Sequence, residues 1–165
     1  MTEKLFFELI RVAIGNQVCL SHSPSADEWG KLYDMAKKQS WVGVCFAGVQ
    51  KLVDSEKEDY CGMNELQYLT WMGMAAKIQQ RNEVVNRQCV TLGKQLQGAG
   101  FDYVVMKGQE VGRYYHDLSA LRQSGDIDVW ITSKDRKDIV SYADKVSPTK
   151  EINHHHLYFH VFQDT

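Results

Sequence analysis

Two aspartates flank a single isoleucine in Gly125-Asp126-Ile127-Asp128-Val129-Trp130-Ile131. Alternation along a strand puts Asp126 and Asp128 on one face and Ile127, Val129 and Ile131 on the other. Like charges held so close add nothing to packing. A divalent cation between them does, because hard carboxylate oxygens suit Mg2+, and Mg2+ in turn brings phosphate. Upstream, a β-prone run ends in Lys107-Gly108-Gln109. A strand that gives way at once to a helix leaves free backbone N–H groups, where phosphate binds through hydrogen bonds and the helix dipole. Gly108 opens the backbone to an anion and Lys107 adds a point charge, although the same residues also fit a plain tight turn. Arg122 stands just ahead of the acids, where a guanidinium can clamp a phosphate at two points. Gly125 permits a tight entry into the strand. The competing picture is a surface strand with two solvated aspartates, one of them neutralised by Arg122. The β-branched residues at 127, 129 and 131 argue instead for a core on the opposite face.

The elements that must position these residues are legible in outline. Residues 1–98 read as a helical region. Leu5, Phe6, Leu9, Ile10, Ala13 and Ile14 recur at helical spacing. Ser25-Ala26-Asp27-Glu28 has the form of a capping box, followed by the apolar stripe Trp29, Leu32, Tyr33 and Ala36. A third helix is predicted from Trp41 to Val53, and a charged loop over Asp54 to Asp59. Asn64 is the expected cap of a long helix to about Gln97, closed by Gly98 and Gly100. Trp71, Tyr68 and the Met72–Met74 stretch on it are expected to pack against the part that follows, while Arg81, Arg87 and Lys94 form a solvated face. Residues 99–165 change texture: strand 101–106, helix 109–116, strand 126–132, helix 134–146, then a third strand over 156–162 after Pro148. The expected class is α+β, a helical region followed by a small mixed sheet with flanking helices.

Composition narrows the partners. Nineteen basic residues against twenty-one acidic ones give a net charge of −2. This balance exerts no global pull on nucleic acid, leaving only local basic patches at Lys94 and Lys107 and at Arg113 and Arg122. Cys19, Cys45, Cys61 and Cys89 show no C-x-x-C spacing and read as reduced, largely buried thiols. The longest apolar stretch, Trp41 to Val49, is too short to cross a bilayer, and no signal peptide is evident. The expectation is a cytoplasmic protein with no membrane contact. His154, His156 and His160 share strand parity, but no further ligand is fixed opposite them; a polar strand edge or a contact to a nucleobase fits better than zinc. His116 reads as a helix-end residue.

The motif set resembles the DNA polymerase β-like nucleotidyltransferase superfamily and, within it, the family of uncharacterised nucleotidyltransferases. The residues that carry the resemblance are Met106-Lys107-Gly108, Tyr114-Tyr115 and Arg122-Gln123-Ser124-Gly125-Asp126-Ile127-Asp128-Val129, within residues 104–131. The resemblance implies a nucleotidyltransferase-like core over 99–165 and transfer of a nucleoside monophosphate from an NTP to a hydroxyl acceptor. That acceptor could be a small molecule, an RNA or a protein. It implies two Mg2+ ions held by Asp126 and Asp128, and phosphates contacted by Lys107, Gly108, Gln109, Arg122, Ser124 and Gly125. It also implies a third carboxylate on a following strand. Asp164 is the acid nearest that place, and a chain truncated at its C-terminus is the expected explanation. The alternative is a catalytically inactive relative that binds a nucleotide or a protein through the same cleft. Base preference and oligomeric state carry no signal.

Overall fold

Helix α2 (Ala26–Lys38) begins at the predicted capping box. The Glu28 N–H donates to Ser25 Oγ at 3.3 Å and the Ser25 N–H donates back to the Glu28 carboxylate at 3.0 Å. Trp29, Leu32 and Ala36 are then fully buried, with Tyr33 partly so. The computed structural model describes residues 2–55, 62–123, 125–147, 150–152 and 157–162. Before α2 lies α1 (Thr2–Ala13), and after it α3 (Val42–Asp54), buried continuously from Val42 to Val49 as an inner helix apolar on all sides should be. Helix α4 (Glu65–Gly98) opens with a second reciprocal cap, in which the Gln67 N–H donates to Asn64 Oδ1 at 2.9 Å. Past its end, Gly100 takes a φ of 83°, the left-handed conformation that closes a helix.

The described chain forms two compact units that interleave along the sequence. The first comprises Met1–Glu83 with Gly112–Gly125. Its core joins Leu5, Leu9 and Val12 of α1 to Trp29 and Leu32, Cys45 and Val49 of α3, and Trp71, Ala75 and Ile78 of α4. The expectation that Trp71 packs against the strand-bearing part is corrected here. Its ring meets Tyr33 edge to face at 5.1 Å, because Trp71, Ala75 and Ile78 form one helical stripe inside the helical core. Met72, off that stripe, is exposed. Residues Arg113–Leu121, expected to begin as a helix, form a 3-10 segment broken at His116 (φ 48°, ψ −122°).

The second unit comprises Val84–Val111 with Asp126–Thr165. Strands β1 (Asp102–Met106) and β2 (Asp128–Thr132) pair antiparallel, from Asp102 opposite Thr132 to Met106 opposite Asp128. Helix α5 (Gly108–Gly112) follows β1 after one residue, and α6 (Arg136–Val146) follows β2, its N-terminus capped by Asp135. Strands β3 (Lys150–Ile152) and β4 (Leu157–Phe159) form a second antiparallel pair. Tyr103 of β1 lies over Gly93 of α4, where a Cβ would collide with its ring. Phe101, Tyr142 and Phe159 make a row of edge-to-face contacts at 5.5 and 6.4 Å.

The α+β class is as expected, with differences in detail. The described strands pair only antiparallel, β2 starts at Asp128 rather than Asp126, the third predicted strand shrinks to Leu157–Phe159, and β3 was not foreseen. Among the described residues, no helix is long and apolar enough to cross a membrane.

Candidate active site

The register of the first sheet decides where the chemistry-bearing residues fall. Met106 ends β1 directly opposite Asp128, which begins β2, so the residue after Met106 emerges beside the acid. That residue is Lys107, and its Nζ lies 3.4 Å from Asp128 Oδ1. Both side chains are open to water, at 70% and 40% exposure, so the pair is worth at most about 1 kcal/mol and holds the lysine loosely. A Cβ built on Gly108 would sit 3.5 Å from the Asp126 carbonyl oxygen, which places the Lys-Gly turn against the Asp126 backbone. Lys107, Gly108, Asp126 and Asp128 therefore converge at one end of the first sheet.

The turn is tight, and its left-handed residue is not its glycine. The positive φ falls on Lys107, at 49°, and not on Gly108. In this left-handed conformation the Lys107 carbonyl accepts the first bond of α5, from the Val111 N–H at 2.8 Å. A side chain with a Cβ costs roughly 1–2 kcal/mol there. Strain of this kind persists where the surrounding structure over-determines it, and such positions cluster at functional sites. Because α5 is only five residues long, its dipole adds little, and the positive charge at the site comes from Lys107. The Gln109 side chain is committed elsewhere, donating to Asn86 Oδ1 on α4 at 2.6 Å.

Alternation in β2 turns Val129 and Ile131 to one side, where both are half-buried, and Asp128, Trp130 and Thr132 to the other. The half-buried Val129 and Ile131 match the expected apolar side of the strand, whereas the strand face expected to carry both Asp126 and Asp128 does not extend to Asp126. Asp126 precedes the strand and is exposed.

Arg122 and Gly125 belong to the first unit. There the Arg122 guanidinium lies 5.9 Å from the centroid of the Tyr115 ring, a cation–π distance. Its backbone is fixed by a residue that sequence reasoning missed. The buried Asn82 of α4 donates through one amide nitrogen to the carbonyls of Ala120 and Arg122, at 2.8 and 2.7 Å. Gly43 of α3 was also missed; a Cβ there would strike the Leu121 carbonyl, so the segment can approach only a glycine. A glycine inside a strongly apolar helix was the available signal. Nothing in the local sequence marks Asn82, whose partners lie 38 and 40 residues away.

Ser124, Cys61, His154, His155, His156 and Asp164 lie outside the described residues. His160 is exposed just past β4, and its N–H donates to the buried Ser147 hydroxyl at 3.3 Å. An open depression lined by Asp135, Arg136, Lys137, Val140, Ser141 and Asp144 on α6 includes none of the converging residues. Among the described residues no three His, Cys, Asp or Glu side chains are grouped to hold a metal ion. Asp126 and Asp128 still offer a donor set that Mg2+ accepts, since it is commonly bound through one or two carboxylates, with phosphate oxygens and water completing the shell.

Compared with known proteins, residues 25–163 match the model of a family described as uncharacterised nucleotidyltransferase. No curated protein and no solved structure matches.

Proposed function

The chain belongs to that family of uncharacterised nucleotidyltransferases, and from this premise we propose that it transfers a nucleoside monophosphate from an NTP to a hydroxyl acceptor at the Lys107–Asp128 end of the first sheet. The observation that carries the proposal is the convergence of Lys107, Gly108, Asp126 and Asp128, produced by the Met106–Asp128 register. Asp126 and Asp128 are the residues to hold Mg2+, with two ions expected. Bound there, Mg2+ supplies charge neutralisation at phosphate oxygens and lowers the pKa of an acceptor hydroxyl. Lys107, largely exposed to solvent, can leave Asp128 for a phosphate oxygen at small cost, because the pair it breaks is weak. Once on the phosphate it stabilises charge that grows as the bond to pyrophosphate breaks. Gly108 admits the phosphate close to the backbone. Arg122, Ser124, Gly125 and the Gln109 backbone are assigned to the same nucleotide by family pattern alone. The acceptor is left open among small molecule, RNA and protein. The assigned compartment is the cytoplasm, whose reducing poise suits the unpaired Cys19, Cys45 and Cys89.

A second reading, a relative that binds nucleotide without transferring it, draws on the two-acid donor set among the described residues. One experiment separates the two. The protein is incubated with Mg2+ and each NTP labelled at the α-phosphate, over a panel of hydroxyl acceptors that includes the protein itself and mixed RNA. Pyrophosphate release with label transfer, lost in Asp128→Asn, supports transfer. Saturable Mg2+-dependent binding with no pyrophosphate across the panel supports the second reading, and no binding at all removes both.

A further inference from the structure

The face that carries Asp128 does not end in charge. Trp130, two residues along β2, shares it and is 63% exposed, and Val104 directly across the sheet is 61% exposed. The opposite face of the same two strands is occupied: Tyr103 lies over Gly93, and Val105, Val129 and Ile131 are half-buried. The Asp128 face therefore runs from a charged end, Lys107 with Asp128, to an indole beside a valine, with Met106 between them on β1. Two strand residues span about 6.8 Å. That separation is comparable to the ribose that holds a nucleobase away from its α-phosphate.

We propose that Trp130 is the nucleobase platform of this site, with Val104 as its cross-strand support. This inference rests on the functional reading above, because it takes the phosphates to lie at Lys107 and Asp128. The occupant is a nucleotide rather than an apolar peptide, because one end of the face is cationic and acid-bearing while the other is aromatic. A Mg2+–polyphosphate satisfies the first and the flat face of a base the second. Stacking on an indole tolerates every base, since each has a π-face, so the platform supplies affinity more than base identity.

The test compares Mg2+–NTP with Mg2+–tripolyphosphate, which carries the charge but no base, on wild type, Trp130→Ala and Trp130→Phe. Circular dichroism and Tm verify the fold of each variant, which is expected to persist because Trp130 is largely exposed. The proposal expects Trp130→Ala to weaken NTP about fivefold or more, to leave tripolyphosphate unchanged, and Trp130→Phe to restore most of the loss. NTP is also expected to shield tryptophan fluorescence from acrylamide in wild type and not in Trp130→Ala. Equal NTP affinity in wild type and Trp130→Ala overturns the proposal, as does an equal loss for both ligands. A wild type that binds tripolyphosphate as tightly as NTP overturns the platform alone and leaves the phosphate end standing. Binding of neither ligand overturns both.

Discussion

Lys107 separates what the fold wants from what the chemistry wants. Its φ of 49° carries a penalty of roughly 1–2 kcal/mol for a residue with a Cβ. Glycine removes that penalty, but gives back about 0.4–1 kcal/mol through the greater freedom of the unfolded chain. Lys107→Gly should therefore be more stable than Lys107→Ala, by up to about 1.6 kcal/mol and centrally by about 0.8 kcal/mol. Both lose the 3.4 Å pair with Asp128, which at its exposure is worth at most about 1 kcal/mol. Lys107→Gly should thus match wild type to within about 1 kcal/mol by urea unfolding followed through tryptophan fluorescence. Both variants should nevertheless lose at least about tenfold in Mg2+–NTP affinity, because the charge-assisted contact to phosphate is gone; about 1.4 kcal/mol corresponds to that factor. Lys107→Arg should retain part of the binding. A glycine variant less stable than the alanine one would refute the strained turn. Wild-type binding by Lys107→Gly would refute the assignment of the lysine to phosphate.

Asn82→Ala removes two buried donors and leaves two carbonyls facing a small void, so a loss of about 2–4 kcal/mol is expected from denaturant unfolding; a change below about 0.5 kcal/mol would show that water or another group replaces the amide. Gly93→Ala pushes a methyl into the Tyr103 ring and should destabilise by about 1–3 kcal/mol, with Gly93→Ala/Tyr103→Leu recovering part of it, while additive losses would contradict the contact. Burial pushes the Glu8 carboxyl up, but bonds from Ser21 and the charge of Lys4 outweigh it and leave its pKa below the ordinary value. A depressed folded pKa gives stability that is present above the unfolded value, about 4.3, and lost as pH falls through the folded one. Tm should therefore drop in that acid window, and the drop should be shallower in Glu8→Gln; identical acid slopes would exclude Glu8 as a contributor.

How far the sequence carried the fold depended on whether each signal was local. Capping boxes, apolar stripes and terminal glycines are written within a few neighbouring residues, and α2 and α4 begin where those residues place them. The helix expected over 109–116 forms only over Gly108–Gly112; from Arg113 the chain runs as a 3-10 segment kinked at His116, and Leu121 at its end packs against Gly43 of α3, a contact no local pattern announces. Strand β3 was missed because three residues after a proline carry too little pattern to register. The acids themselves were legible, since Asp-Ile-Asp before β-branched residues makes no sense as packing. Their proximity to Lys107 was not, because it depends on the Met106–Asp128 register, a pairing between distant residues. The strain on Lys107 was equally invisible, because nothing in the residue types around it marks a left-handed backbone on a lysine.

The most direct test of the central claim is isothermal titration of a non-hydrolysable NTP into the protein with Mg2+ and with EDTA, using wild type and the variant carrying both Asp126→Asn and Asp128→Asn. Saturable, Mg2+-requiring binding is expected for wild type, with at least a tenfold loss in the double variant and its Tm preserved. Ligand at about 100 times its Kd should add roughly 2.7 kcal/mol to the stability of wild type alone. Equal, Mg2+-independent affinity in the two proteins would contradict the claim that these aspartates form a cation-dependent nucleotide site.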